Sequence, residues 1–410
     1  MDKKEDMKER SYDVHGAVQI KLIGKGPVSD VIDETLAFFR SPMKSPDLTI
    51  VLGKYPDQGW EPSGTLVGDR FLYDPGSRTT TIFRDRATSG KKRSEVEYVI
   101  VGDLRTPGEQ VTAYVPGLRK PTTPRESFVG ELRRHHGRRA LLALSGNPYG
   151  MQRVARQAEI VTESIIEPFL FYRLPAKGLS LVHAASVCSQ GSATMFAGSA
   201  NVGKSTLALR LLKEKMAFLG DSLVILSEGG EVLPYPGLVK LHGGHLATLP
   251  ELVDRLTAGM GRVGANLLRS DLSASPDETL RLLPQHRMVD LFPEVVIPPR
   301  CGLGFAVLIK RGSFTQSTIE EVDPGSLADA LAVELYWGFE GAAWRSDEFV
   351  YSSSAAAGRD FVQESATSHT GIREILLKGV SQARCFRVNL PLDAPLQQVE
   401  ELLSRVRKPG

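Results

Sequence analysis

Residues 193–213 read Ala193-Thr194-Met195-Phe196-Ala197-Gly198-Ser199-Ala200-Asn201-Val202-Gly203-Lys204-Ser205-Thr206-Leu207-Ala208-Leu209-Arg210-Leu211-Leu212-Lys213, and this run decides the architecture. The residues before Gly198 form a short apolar run suited to a buried strand, and those after Ser205 have helical periodicity. Gly198 to Ser205 between them complete the spacing G-x-x-x-x-G-K-[ST] of a phosphate loop. Gly198 and Gly203 let the backbone curl so that successive N–H groups converge on one point, and the helix start adds its positive end there. The spacing predicts that Gly198, Ser199, Ala200, Asn201, Val202, Gly203, Lys204, Ser205 and Thr206 bind the phosphates of a nucleotide, with ATP the default. Lys204 would bridge the β- and γ-phosphates and Ser205 would hold Mg²⁺.

Working outward, Leu179 to Val187 reads as a strand paired with the loop strand, and Ala217 to Leu219 as a strand leading into Gly220-Asp221-Ser222. Asp221 then stands at the strand tip, where a carboxylate can face a bound metal and the γ-phosphate. A GTPase would carry an Asn-Lys-x-Asp base reader, and the chain has none. Leu226-Ser227-Glu228-Gly229-Gly230 imitates an ABC ATPase signature but follows the loop too soon, and it reads as a β-turn.

The unit of strand, loop, helix and Asp-tipped strand, with Leu181-Val182-His183-Ala184-Ala185 ahead of it, resembles the HPr kinase/phosphorylase family and its relatives, including kinases encoded with lasso peptides. The resemblance spans about residues 179–237. It implies a mixed α/β fold with the nucleotide core that this family shares with phosphoenolpyruvate carboxykinases. It further implies that His183 orients a carboxylate or the acceptor, and that Asp221 matches the first member of an Asp-Asp pair. Ser222 stands in place of the second. One carboxylate must therefore both hold metal and deprotonate the acceptor, or water must complete the metal contact. The implied activity is a kinase acting on a serine-type hydroxyl of a peptide, protein or small molecule, with Asp221, His183 and Lys204 as its catalytic residues and Ser205 and Asp221 on Mg²⁺. A nucleotide-binding sensor or assembly NTPase is the alternative, favoured by Ser222. Phosphorylase-type reversal relies on the same paired acids.

The remaining chain divides into a polar tail expected to be disordered (1–12), a β-rich region ending in helices (13–175) and the nucleotide-binding domain (176–410). Alternation or apolar runs predict strands at Val18 to Ile23, Leu48 to Leu52, Arg70 to Tyr73, Thr79 to Phe83, Val96 to Val101 and Gln110 to Val115. Helices are expected over Arg125 to Leu144 and Val154 to Tyr172, with Pro168 placed to kink the second or end it early. Farther along, Gly302 to Ile309 reads as a buried strand, Ser326 to Trp337 as a helix, Cys385 to Leu390 as a strand and Leu396 to Val406 as an amphipathic helix. After Pro234 the chain reads as loop, so His242 and His245 belong to a polar loop rather than a metal pair, there being no neighbouring ligand set. Ser270 to Glu278 reads as a mobile loop, and Arg133 to Arg139 as a solvated basic helix end.

Fifty Lys and Arg against 48 Asp and Glu leave no global field to draw in nucleic acid. No apolar run is long enough to span a bilayer, which points away from a membrane and toward the cytoplasm. Cys188, Cys301 and Cys385 are isolated and form no C-x-x-C pair, which reads as three reduced thiols. The chain is compatible with a homo-oligomer.

Overall fold

The structure is a computed structural model that describes residues 7–83 (less 44, 58, 68 and 69), 96–116, 148–258, 280–337, 358–407 and a few positions near 265 and 350. The helix expected over Arg125 to Leu144, the basic run Arg133 to Arg139 and the loop Ser270 to Glu278 lie outside the described residues. The fold is mixed α/β, and the chain divides into two compact units. One comprises residues 1–173, 253–276 and 345–365; the other comprises 174–252, 277–344 and 366–410.

The first unit is built on an eight-stranded sheet. Its strands are β1 (Lys8–Val14), β2 (Val18–Gly24), β3 (Leu48–Leu52), β4 (Thr65–Val67), β5 (Phe71–Asp74), β6 (Thr79–Phe83), β7 (Val96–Val101) and β8 (Val111–Val115), in the order β1-β2-β3-β8-β7-β6-β5-β4. In β2 the buried Val18, Ile20 and Leu22 alternate with half-buried neighbours, the period of a strand with one face on a core. The polar opening differs from a disordered tail. From Lys8 it pairs antiparallel with β2. Arg10 reaches Asp30 at 2.9 Å and Asp33 at 3.0 Å, and the buried Tyr12 donates to Asp33 at 2.7 Å. Arg10 thus finds its partners on the helix Pro27–Thr35, and Glu9 pairs with Lys21 of β2 at 2.6 Å.

Pro168 does not end its helix. Pro148–Val161 continues through a π-turn at Thr162–Ile166 into Glu167–Arg173. A wider turn just before the proline accommodates its missing N–H and its ring, so the irregularity falls upstream.

The second unit carries a two-stranded antiparallel sheet of β15 (Leu238–His242) and β16 (Leu280–Pro284), and a nine-stranded sheet around β17 (Cys301–Gly312). On one side lie β11 (Ser192–Ala197), β10 (Ala184–Ser189) and β12 (Ala217–Gly220). On the other lies β19 (Arg384–Pro391) with β18 (Thr318–Glu321), while β14 (Glu231–Pro234), β13 (Val224–Ser227) and β9 (Leu179–Val182) branch from the start of β17. The expected single strand Leu179 to Val187 is therefore two. It breaks at His183, β9 pairing with β13 and β10 with β11. Ser227 to Gly230 forms the expected turn, closed by a Gly230 N–H bond to the Ser227 carbonyl at 3.0 Å.

The cysteines depart from expectation. Cys188 and Cys301 form a disulfide, and only Cys385 is free. Cys188 pairs with Ala193 in β11, while Gly302, next to Cys301, pairs with Ser192. Strand register thus brings together two residues 113 apart, which spacing along the chain cannot show. Burial pushes the Cys385 thiol up to about 11. Among the described residues no helix is long and apolar enough to cross a membrane. Alkylation of the unfolded, unreduced protein followed by mass analysis should label Cys385 alone; modification of all three cysteines would remove the bond.

Candidate functional site

Strand register brings three chain segments to one end of the second sheet. Ala197, the last residue of β11, pairs with Ala184 at the start of β10, and Gly220, the last residue of β12, pairs with Ser186. His183 precedes β10, Gly198 follows β11 and Asp221 follows β12, so all three leave the sheet at the same edge.

The glycine loop turns through left-handed backbone at Gly198 (φ 137°), Asn201 (φ 64°) and Gly203 (φ 102°). A Cβ on Gly198 would collide with the Ile309 carbonyl oxygen, and one on Gly203 would meet Leu396 Cδ2 at 2.5 Å. Position 198 therefore needs glycine for space as well as for φ, and position 203 for its φ, with Leu396 packed into the room a Cβ would take. The helix Lys204–Leu212 starts at once, with Leu207 N–H donating to the Gly203 carbonyl at 2.9 Å.

Lys204 is buried and folds back across the loop, its Nζ donating to the Gly198 carbonyl at 2.7 Å and to the Ser199 carbonyl at 2.9 Å. Burial pushes its pKa down to about 8, against the pull of Asp221 and Glu334. Glu334, on the helix Pro324–Trp337, also accepts from Ser199 Oγ at 2.9 Å. Sequence reasoning did not single it out, because a lone glutamate in a helix carries no motif.

Asp221 is 8% exposed, and neither carboxylate oxygen has a hydrogen-bond partner. Ser222 adopts a left-handed φ of 67°, which turns the chain sharply after the acid. His183 is buried; desolvation and then the Lys204 charge push its pKa down to about 3, so it is a neutral imidazole across the physiological range.

His242 and His245 are not in a loop. His242 ends the strand Leu238–His242, and His245 lies in the short helix Gly243–Thr248, its Nδ1 accepting from the His242 backbone N–H at 3.2 Å. Leu246, Leu249 and Leu252 are buried and tie this stretch down despite Gly243-Gly244. That leucine spacing was the available signal for a helix. Burial pushes the His245 pKa down while Asp221 pulls it up, so the acid stands near both Lys204 and His245. Among the described residues no three His, Cys, Asp or Glu side chains gather as a metal site.

A cavity of about 840 Å³ opens beside the glycine loop. Asn201, Gly203, Lys204, Ser205 and Thr206 line it from the loop; His183, Ser222, His242 and His245 line it from the neighbouring segments; Arg210, Leu396 and Gln397 complete it. The charged or chargeable side chains at its wall are all basic, which suits a polyanionic ligand.

No family model matches the chain, and no curated protein matches it. Among solved structures, the HPr(Ser) kinase/phosphatase from Coxiella burnetii is similar at 10% identity with a TM-score of 0.26, over 56% of this chain and 96% of that one. It is a distant structural neighbour, and a likeness of that degree carries no argument about activity.

Substituting Gly198→Ala should lower stability by about 1–3 kcal/mol in denaturant unfolding, from backbone strain alone. A second expectation concerns pH. His183 takes up its proton only near pH 3 when folded but near 6.5 when unfolded, so between those values the unfolded chain holds the extra proton. Stability should be full above pH 6.5 and fall as pH drops below it, by up to about 1.4 kcal/mol per unit. His183→Gln should flatten that slope between pH 6.5 and 5; an unchanged slope would show that His183 titrates normally.

Proposed function

We propose that this chain is an ATP-dependent kinase of the HPr kinase-like type, transferring a phosphoryl group to a serine-type hydroxyl of a peptide, protein or small molecule. The observation that carries the reading is the buried ammonium of Lys204, seated in a glycine loop beside the carboxylate of Asp221, whose oxygens have no hydrogen-bond partner. A nearly buried acid without a partner is costly unless a ligand completes it.

The residues fit Mg²⁺ and a triphosphate. Mg²⁺ is commonly held by one or two protein groups together with phosphate oxygens and water, so Ser205 and Asp221 suffice without a cluster of protein ligands. Bound there, the ion would neutralise charge on the transferring group. The loop N–H groups would supply the hydrogen bonds to phosphate oxygens. Lys204 exchanges the Gly198 and Ser199 carbonyls for β- and γ-phosphate oxygens and retains its positive charge near neutral pH. Asp221 orients the acceptor hydroxyl and takes its proton. His183, being neutral, contributes a hydrogen bond and no charge. Most of the acceleration then comes from positioning and charge neutralisation.

Ser222 supports the second reading, a sensor or assembly NTPase that binds nucleotide with little or no transfer, because it leaves one acid for two tasks. Single-turnover incubation with labelled ATP and a panel of hydroxyl acceptors separates them. For a kinase, Lys204→Ala should abolish both nucleotide binding and transfer, while Asp221→Asn should keep binding and lose transfer by about a hundredfold or more. Tight binding by the wild type with no transfer to any acceptor would decide for the sensor.

A further inference from the structure

The proposed function uses the glycine-loop end of the cavity and leaves the wall formed by Leu396 and Gln397 without a role. That wall is fixed to the glycine loop. Arg311 Nε donates to the Val202 carbonyl at 3.2 Å, and its Nη1 donates to the carbonyls of Pro391, Leu392 and Ala394 at 3.3, 3.0 and 2.9 Å. One guanidinium therefore clamps the loop to the turn after β19. Leu396 packs on Gly203, filling the space that a Cβ would take. Arg210 pairs with Glu400 through two contacts, at 2.7 and 3.1 Å, which ties the loop helix to the helix Gln397–Arg407.

Thr206 and Arg210 are four residues apart on one helix, so they share a face. Both line the cavity together with Leu396 and Gln397. A triphosphate held by the glycine loop would leave its nucleoside to the rest of the cavity wall, where Arg210, Leu396 and Gln397 stand. We propose that Leu396 and Gln397 form the nucleobase subsite and select adenine; this rests on the nucleotide reading given above. Half-buried Leu396 offers an apolar surface to the ring face. Gln397 is exposed, and among the described residues its amide makes no hydrogen bond. A glutamine amide presents a donor and an acceptor side by side, which matches the N6 amino group and adjacent ring nitrogen of adenine; guanine's O6/N7 edge calls for arginine or lysine. Arg210, the nearby guanidinium, is already committed to Glu400.

The test is equilibrium binding of Mg-ATP, Mg-GTP and inorganic tripolyphosphate to the full chain, in the wild type, Gln397→Ala and Gln397→Glu, with thermal unfolding as a check on folding. The wild type should prefer ATP to GTP. Gln397→Ala should weaken ATP about five- to tenfold, the loss of hydrogen bonding at one amide. It should also bring ATP and GTP to similar affinity and leave tripolyphosphate within twofold. Gln397→Glu should weaken ATP further while keeping the native unfolding temperature. Equal loss for tripolyphosphate and ATP, no loss for either, or a wild type indifferent to the base would each overturn the subsite while leaving phosphate binding intact. A wild type that binds neither ATP nor tripolyphosphate would take the nucleotide reading down with it.

Discussion

A buried ammonium organises the cavity beside the glycine loop. Lys204 is 6% exposed, and removing a charge from water costs several kcal/mol unless hydrogen bonds and a counter-charge offset it. Two loop carbonyls provide the bonds, while Asp221 and Glu334 provide the opposing field. The carbonyls are available only because the backbone turns left-handed at Gly198, Asn201 and Gly203 and so points inward. Glycine at 198 and 203, the close packing on Ile309 and Leu396, and the lysine's posture are thus one linked constraint.

Sheet register supplies the second half of that constraint. A helix and a loop could place Lys204, but only the pairing of Ala184 with Ala197 and of Gly220 with Ser186 brings His183 and Asp221 to the same edge. The break at His183 follows from topology: β9 belongs with β13, β10 with β11, and one residue must pass between the two pairings. That residue is buried beside a cation, which keeps its imidazole neutral. The same register gathers Cys188 and Cys301 near the start of β11, so one strand relates the glycine loop at its end to the disulfide at its beginning.

Local periodicity made much of this legible. The alternation in β2, the apolar run of β3 and the turn Asp74-Pro75-Gly76-Ser77 between β5 and β6 each encode their structure within a few residues, and the strands form as read. The glycine spacing likewise encodes its own loop. What the sequence hid was non-local. The Lys8–Val14 strand looks like a solvated tail until Asp30 and Asp33 meet Arg10, and the disulfide needs the register of three strands. His242 and His245 were obscured by Gly243-Gly244, a loop signal overridden by burial of Leu246, Leu249 and Leu252. Glu334 had no signal at all, being more than a hundred residues from the loop serine it binds.

The posture of Lys204 also bears on how a ligand would enter. Its Nζ hydrogen-bonds to the carbonyls of its own loop, so on the proposed reading phosphate oxygens would replace bonds already made rather than satisfy an idle donor. The exchange gains because phosphate oxygens carry negative charge and the carbonyls do not, so an ion pair replaces a bond between an ion and a dipole. Asp221 has no comparable internal substitute: both of its oxygens are buried without a donor. The two groups are therefore unequal. The lysine is satisfied in the closed loop and needs an anion strong enough to displace the carbonyls, whereas the acid gains from any donor or cation that reaches it. Polyanion and cation arriving together satisfy both at once, and either alone leaves the lysine bonded to its own backbone or the acid without a partner.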